Sequence, residues 1–234
     1  IPTLLVSPVL GTVFFAYLGR YAGLRDDTFY VIGNGVLAVT GPCVFGGTMA
    51  LGNERRYQTL AAVLGTPAPR GAILLGRALP YVVNGIVVAI AVTAVSTLLL
   101  DVHISLAAVP GLLLVWLVAA LACTAFGLAL GAVGMRLRDV WVISNTVWVA
   151  LWLVSGANVP RADLPGWLAA VGAVLPLAHG IDAARAIAAE GALAAGRADL
   201  AVEAGVGLAW AGIAAVLFRV FERSSRRSAA LDLG

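Results

Sequence analysis

From Leu106 to Gly134 the chain runs without one charged residue. That run exceeds the about 20 helical residues that cross about 30 Å of hydrocarbon. Comparable apolar runs recur along the 234 residues, 61% of which are hydrophobic and 12% charged, with mean hydropathy +0.98. Soluble domains carry about 25% charged residues, so this chain could not cover itself against water. Lipid is the solvent for much of it, and there every backbone polar group must be paired internally. The expected fold is an all-α polytopic membrane protein of one transmembrane domain, 1–234.

Six segments qualify as spans: Ile1–Gly19, Phe29–Gly52, Ala78–Leu100, Leu106–Gly134, Val140–Gly156 and Leu200–Phe221. The fifth is short, and the fourth is long enough to tilt. Because the chain opens on Ile1 and apolar residues, the first segment reads as the remainder of a span, with a preceding cytoplasmic segment expected. Cys43 and Cys123 both lie inside apolar runs and read as small packing residues rather than a disulfide framework.

All fifteen cationic residues are arginine. Ten of them (55, 56, 70, 77, 136, 138, 219, 223, 226, 227) fall on one side of this topology and five (20, 25, 161, 185, 197) on the other. The positive-inside rule puts the first side, with both termini, in the cytoplasm. The region 157–199 on the other side is too long for a hairpin. Its proline-bounded stretch Leu164–Pro176 is the length of a re-entrant or interfacial segment. A second short helix is expected at about Ile181–Ala195, stopped by Gly196.

The loop after the second span reads Asn53-Glu54-Arg55-Arg56-Tyr57-Gln58-Thr59-Leu60-Ala61-Ala62-Val63-Leu64-Gly65-Thr66-Pro67. Asn53 is a good N-cap, and Glu54 sits where the helix dipole favours an anion. Tyr57, Leu60, Ala61 and Leu64 form one apolar face, and Gly65 with Pro67 ends the helix, expected over 53–65. Such a helix can rest on anionic headgroups or dock a cytoplasmic partner.

The run from Glu54 through Leu60 to Thr66-Pro67 resembles the coupling-helix segment of ABC-2-type transporter permeases, in particular their drug-resistance-like branch. Gly131–Asp139, with Arg136 and Arg138, is similar to the cytoplasmic turn before the fifth span of that family. Ser155–Pro160, Leu164–Leu168 and Leu175–Arg185 resemble its outer segment, where Pro160, Pro165, Trp167, Pro176, His179, Asp182 and Arg185 would shape a re-entrant gate. The likeness covers about Phe29 to Arg223. It departs in lacking an amphipathic helix at the front and in the Asn-Glu-Arg-Arg start of the coupling segment.

The resemblance implies a dimer with a second permease copy or homologue. It also implies separate nucleotide-binding subunits contacting Glu54, Arg55, Arg56, Tyr57, Leu60, Thr66, Pro67, Arg136 and Arg138. No cofactor would be bound by this chain; ATP and Mg would sit on the partner. The residues agree independently, because a phosphate-binding loop of the Walker type needs a lysine and the chain has none.

No acidic residue is expected in the central part of a span, which counts against an ion-driven carrier. Trp141, Asn145, Trp148 and Trp152 share one face of the fifth span. They read either as a packed or dimer-facing stripe or as a wall for an amphipathic substrate. Asn34, Thr40 and Thr48 of the second span, with Asn145, Trp148 and Trp152, are the candidate substrate path. Ala119, Cys123, Gly127 and Gly131 make a small-residue ladder for helix packing. His103 and His179 lack a second ligand at metal spacing, and His179 with Asp182 and Arg185 reads as a local hydrogen-bonding cluster. No catalytic constellation or nucleic-acid patch is found.

The expected function is therefore a cell-membrane export permease. It would move an amphipathic small molecule, drug or lipid-like substrate by alternating access, with ATP hydrolysed by a separate subunit. A lipid-linked polysaccharide exporter and a non-ABC membrane assembly subunit are the alternatives.

Overall fold

The computed structural model describes residues 2–50, 70–134 and 140–231, with side chains placed over 5–50, 76–134 and 141–220. The described residues are helical and contain no strand. Helix α1 is Pro2–Ala22, and α2, Asp27–Leu37, continues through a π turn at Gly41–Phe45 to Ala50. There follow α3 (Arg70–Leu100), α4 (Val109–Gly134), α5 (Val140–Val154), α6 (Gly166–Val174), α7 (Ala178–Glu190) and α8 (Leu193–Leu231).

Among the described residues five spans pass on length and composition: Leu5–Ala22, Asp27–Ala50, Gly76–Leu100, Leu106–Gly134 and Leu193–Val220. Helix α5 has 15 residues, only about 22 Å at 1.5 Å per residue. Beyond it the chain bends at 155–159, and α6 and α7 meet at 89°, as in a broken span or re-entrant loop. The protein is a polytopic all-α membrane protein; α5, expected as the fifth span, is an apolar helix below the length of the five spans, and the bent α6–α7 pair is the sixth candidate. The coupling-helix segment 53–65, Thr66, Pro67, Arg136 and Arg138 lie outside the described residues.

The second span is the hub. Of its apolar window 83% is buried, against 11% for α8 and 22% for α1. Its Val36, Val39, Cys43 and Val44 join Leu112, Val115, Ala119 and Cys123 of α4, and Ile181, Ala184 and Ile187 of α7, in the main core. The ladder on α4 lets these backbones touch. A Cβ on Gly127 would lie 2.7 Å from the Val44 carbonyl oxygen, and one on Gly131 would lie 2.8 Å from that of Thr48. Only hydrogen fits at either place, which is how lipid-embedded helices gain dispersion contact.

Two expectations about the C-terminal half need correction. The short helix stops at Glu190, not Ala195. Its C-cap is Gly191 in the left-handed region, at φ +69°, the conformation that ends helices on glycine. Gly196, expected as the stop, lies inside α8, packed against Ala183 of α7. The last helix thus begins at Leu193 rather than Leu200.

That earlier start moves Glu203 to the third turn of α8, about 15 Å along the helix. The expected absence of acidic groups from the central part of a span does not hold, because Glu203 is wholly buried and lies well inside the span Leu193–Val220.

Candidate functional site

Helices α1, α2, α3 and α5 leave a cavity of about 460 Å³ between them, within the range of small-molecule sites. The second span supplies one face of it through Asn34, Leu37, Ala38, Gly41, Pro42, Phe45 and Gly46. Helix α5 supplies Asn145, Trp148 and Trp152, α3 supplies Tyr81, Asn84 and Val88, and α1 supplies Ser7, Pro8 and Gly11. Trp152 is fixed by an edge-to-face contact with Phe15, ring centroids 5.0 Å apart. Every lining residue is uncharged.

Four sequence candidates, Asn34, Asn145, Trp148 and Trp152, meet here. Thr40 and Thr48 do not: both are buried, and their hydroxyls donate to carbonyls of their own helix, those of Leu37 and Val44. Trp141, on the same stripe as Trp148, is 61% exposed and does not line the cavity. Tyr81, Asn84 and Phe45 were not singled out by sequence. An exposed-face asparagine such as Asn84 in an apolar helix is the signal that could have drawn attention to α3.

The amides differ in what they offer. Both Nδ2 protons of Asn34 are taken, one by the Tyr30 carbonyl (3.0 Å) and one by Asn158 Oδ1 (2.9 Å). Asn34 thus presents an acceptor, while among the described residues the side chains of Asn84 and Asn145 make no hydrogen bond and present donor and acceptor together.

The end of the bundle at the 23–26 turn is drawn together by Arg185 of α7. Its guanidinium donates to the carbonyls of Gly156 (2.9 Å), Ala157 (2.9 Å) and Phe29 (3.2 Å), and lies 3.4 Å from the Phe29 ring centroid. One side chain thereby ties α7, the segment after α5 and the start of α2. The expected cluster of His179, Asp182 and Arg185 is not formed, because on α7 the three point to different partners. Asp182 pairs with Arg161 at 2.6 Å, and His179 faces the Ala173 carbonyl at 3.3 Å and Asp199 at 4.0 Å.

Of the other outer-segment candidates, Pro160 and Pro165 precede the 161–163 turn and α6 as N-caps. Pro176 is buried in the α6–α7 bend, and Trp167 is 69% exposed. Helix α7 begins against α8: Glu203 accepts from the N–H groups of Leu177 (2.8 Å) and Gly180 (3.0 Å). This is an N-cap supplied from another helix, where the dipole favours an anion.

The family model of ABC-2 type transporters matches residues 1–188, covering the cavity helices, the outer segment and nearly all of α7. The chain belongs to the ABC-2 type transporter family. Comparison with curated proteins and with solved structures finds no match. As an ABC-2 permease the chain is the multi-pass membrane component of an ABC transporter, without an ATPase site of its own, and its family works with an ATP-binding subunit. Helix α8, with Glu203, lies beyond the ABC-2 match.

Proposed function

We propose that the chain is the permease subunit of an exporter in the cell membrane, and that the cavity holds an uncharged amphipathic molecule, drug or lipid-like, on its way out. The observation that carries this reading is the lining itself. Trp148, Trp152, Phe45 and Tyr81 provide apolar ring faces, three asparagine amides provide polar contacts, and no lining group is charged. A cationic cargo desolvated there would lack a counter-ion, which is costly in a low dielectric. A neutral amphipath matches both surfaces. The aromatic groups gather around one cavity, which favours a small cargo over a long glycan.

In this reading a separate subunit holds ATP and Mg, and closes on nucleotide to push the helix expected at 53–65. Glu54, Arg55, Arg56, Tyr57, Leu60, Thr66 and Pro67, with Arg136 and Arg138, take that contact. The ten-to-five arginine bias supports a cytoplasmic position for this surface and both termini. A second permease copy or homologue completes the pathway, and the spans alternate between inward and outward access.

The test is reconstitution of the chain with its ATP-binding subunit in lipid vesicles, reading ATP hydrolysis and movement of a fluorescent neutral amphipath. Glu54→Ala and Arg56→Ala should lower permease-stimulated hydrolysis several-fold while the chain still folds. Unchanged stimulation in both variants would refute the docking assignment.

A further inference from the structure

A glycine inside a helix is destabilising relative to alanine, and in lipid-embedded helices close packing is the usual compensation. The second span shows that compensation at most of its glycines. A Cβ on Gly33 would lie 2.8 Å from the Ala157 carbonyl oxygen, and one on Gly47 would lie 2.9 Å from that of Thr124. Gly35 is pressed by the Thr93 hydroxyl and Gly46 by the Tyr81 ring. Gly41 is different. Among the described residues nothing lies within 4 Å of the place where its Cβ would stand.

Backbone conformation does not require a glycine at 41 either. Among the described residues the positive-φ glycines are Gly23, Gly156 and Gly191. Gly41 precedes Pro42, and a proline ring disfavours helical geometry in the residue before it. Yet Ser7 precedes Pro8 inside α1, and Leu79 precedes Pro80 inside α3. Helices of this chain carry ordinary side chains in that position.

What remains is the space itself. Gly41 lines the cavity, together with two other glycines, Gly11 and Gly46. Gly46 is covered by the Tyr81 ring, and a Cβ on Gly11 would meet the Trp152 ring at 3.7 Å. Gly41 is therefore the lining glycine whose missing side chain leaves open volume. A side chain there would take room from an occupant and touch no described residue.

We propose that Gly41 is a specificity-determining residue, which by lacking a side chain sets the breadth of the widest rigid part that a cargo can bring into the cavity. The cargo class this fits is a neutral fused-ring alcohol or amide. Its ring body uses the breadth left at Gly41 beside the indoles of Trp148 and Trp152, and its polar group meets the amide of Asn84 or Asn145. This rests on the cavity being the cargo site, as proposed above.

The test uses the full chain with its ATP-binding subunit in lipid nanodiscs, and two neutral probes that share one hydroxyl and differ in breadth, 2-naphthol and 1-hydroxypyrene. Binding is read as tryptophan quenching that Trp148→Phe reduces. Gly41→Ala should weaken 1-hydroxypyrene about threefold and Gly41→Leu on the order of tenfold or more, as overpacking a filled site does. Both variants should hold 2-naphthol within about twofold of the parent. Gly41→Ala should unfold no more than about 2 °C below the parent, whereas Gly46→Ala, driven into Tyr81, should fall by several degrees.

Parent-like binding of 1-hydroxypyrene by Gly41→Leu, or equal weakening of both probes, would overturn the proposal. So would a Gly41→Ala variant as unstable as Gly46→Ala, which would make the glycine structural. A Gly41→Leu complex that elutes as a smaller assembly than the parent would show a second copy seated on Gly41, and would overturn it too. A parent that takes 2-naphthol and refuses 1-hydroxypyrene overturns the breadth assigned to Gly41 and spares the cargo site. A parent that binds neither probe removes the cargo site and the role of Gly41 together.

Discussion

Replacing Glu203 should unseat the N-terminus of α7, and the two obvious substitutions should do so by different amounts. The carboxylate is 0% exposed and accepts from two buried N–H groups, those of Leu177 and Gly180. Leu177 stands at φ +95° with its side chain wholly buried. A non-glycine residue there costs about 1–3 kcal/mol and persists only where its surroundings hold it. A hydrogen bond to a charged group contributes about 1.5–3 kcal/mol, so Glu203→Ala loses about 3–6 kcal/mol and orphans two donors. Glu203→Gln keeps one acceptor oxygen and turns an amide N–H₂ toward the other donor, so it should lose about half as much. At about 2–4 °C per kcal/mol for a chain of this size, the alanine variant should unfold on the order of 10 °C below the parent. The glutamine variant should fall midway. The assay is a thermal scan of tryptophan fluorescence in one detergent for all three proteins. Both variants unfolding within about 2 °C of the parent, or glutamine being as harmful as alanine, would refute the cap.

At the packed seam, Gly127→Ala would set a methyl 2.7 Å from the Val44 carbonyl oxygen and 3.0 Å from that of Cys43. Neither backbone can yield alone, so a loss of about 1–3 kcal/mol is expected in the same thermal scan. In the cavity, Trp148→Ala should weaken binding of a neutral aromatic probe on the order of tenfold, by loss of ring contact and apolar area. Trp141→Ala, on an exposed ring outside the lining, should leave that affinity unchanged; a fluorescence titration in nanodiscs compares the two. Asn84→Leu and Asn145→Leu should each favour a purely apolar probe over one bearing a hydroxyl, read as the ratio of their dissociation constants.

The membrane class and the order of helices were legible because apolar length is a property of single segments, and lipid leaves few other solutions. The α5 stripe was legible too, since Asn145, Trp148 and Trp152 stand at helical spacing. Three things were not. Glu203 falls at the outer end of the expected span Leu200–Phe221, because Arg197, Asp199 and Glu203 together lower the local hydropathy and push the expected start to Leu200. Nothing local says that a remote helix N-terminus will saturate the carboxylate. Gly191 and Gly196 are both plausible stops, and the choice is made by Ala183, against which Gly196 must pack. The cavity's α3 wall was hidden because Tyr81 and Asn84 mean little until α1 and α2 stand opposite them. Thr40 and Thr48 misled for the converse reason: a threonine in an apolar helix can satisfy its hydroxyl on its own preceding turn, as both do here.

The second span has to be tight on one side and hollow on the other, and its π turn reconciles the two. Its cavity residues, Asn34, Ala38, Pro42 and Gly46, are spaced by four. In an α-helix each residue turns about 100°, so a spacing of four drifts by about 40° per step and about 120° over three. A stripe with that drift would leave the cavity and wrap toward α4 before reaching Gly46. The wider turn at Gly41–Phe45 takes in about one extra residue, which returns about 100° of that rotation and leaves about 20°. Phe45 and Gly46 therefore stay over the cavity, where the Tyr81 ring lies on Gly46, while Gly47 and Thr48 stay against Gly127 and Gly131 of α4. Pro42 stands in that turn, and its missing N–H and fixed ring disfavour a regular α turn at this point. The local irregularity thus keeps a packing face and a binding face in register along one helix, and Asn34, about two turns before the π turn, is where the binding face meets the segment that Arg185 ties down.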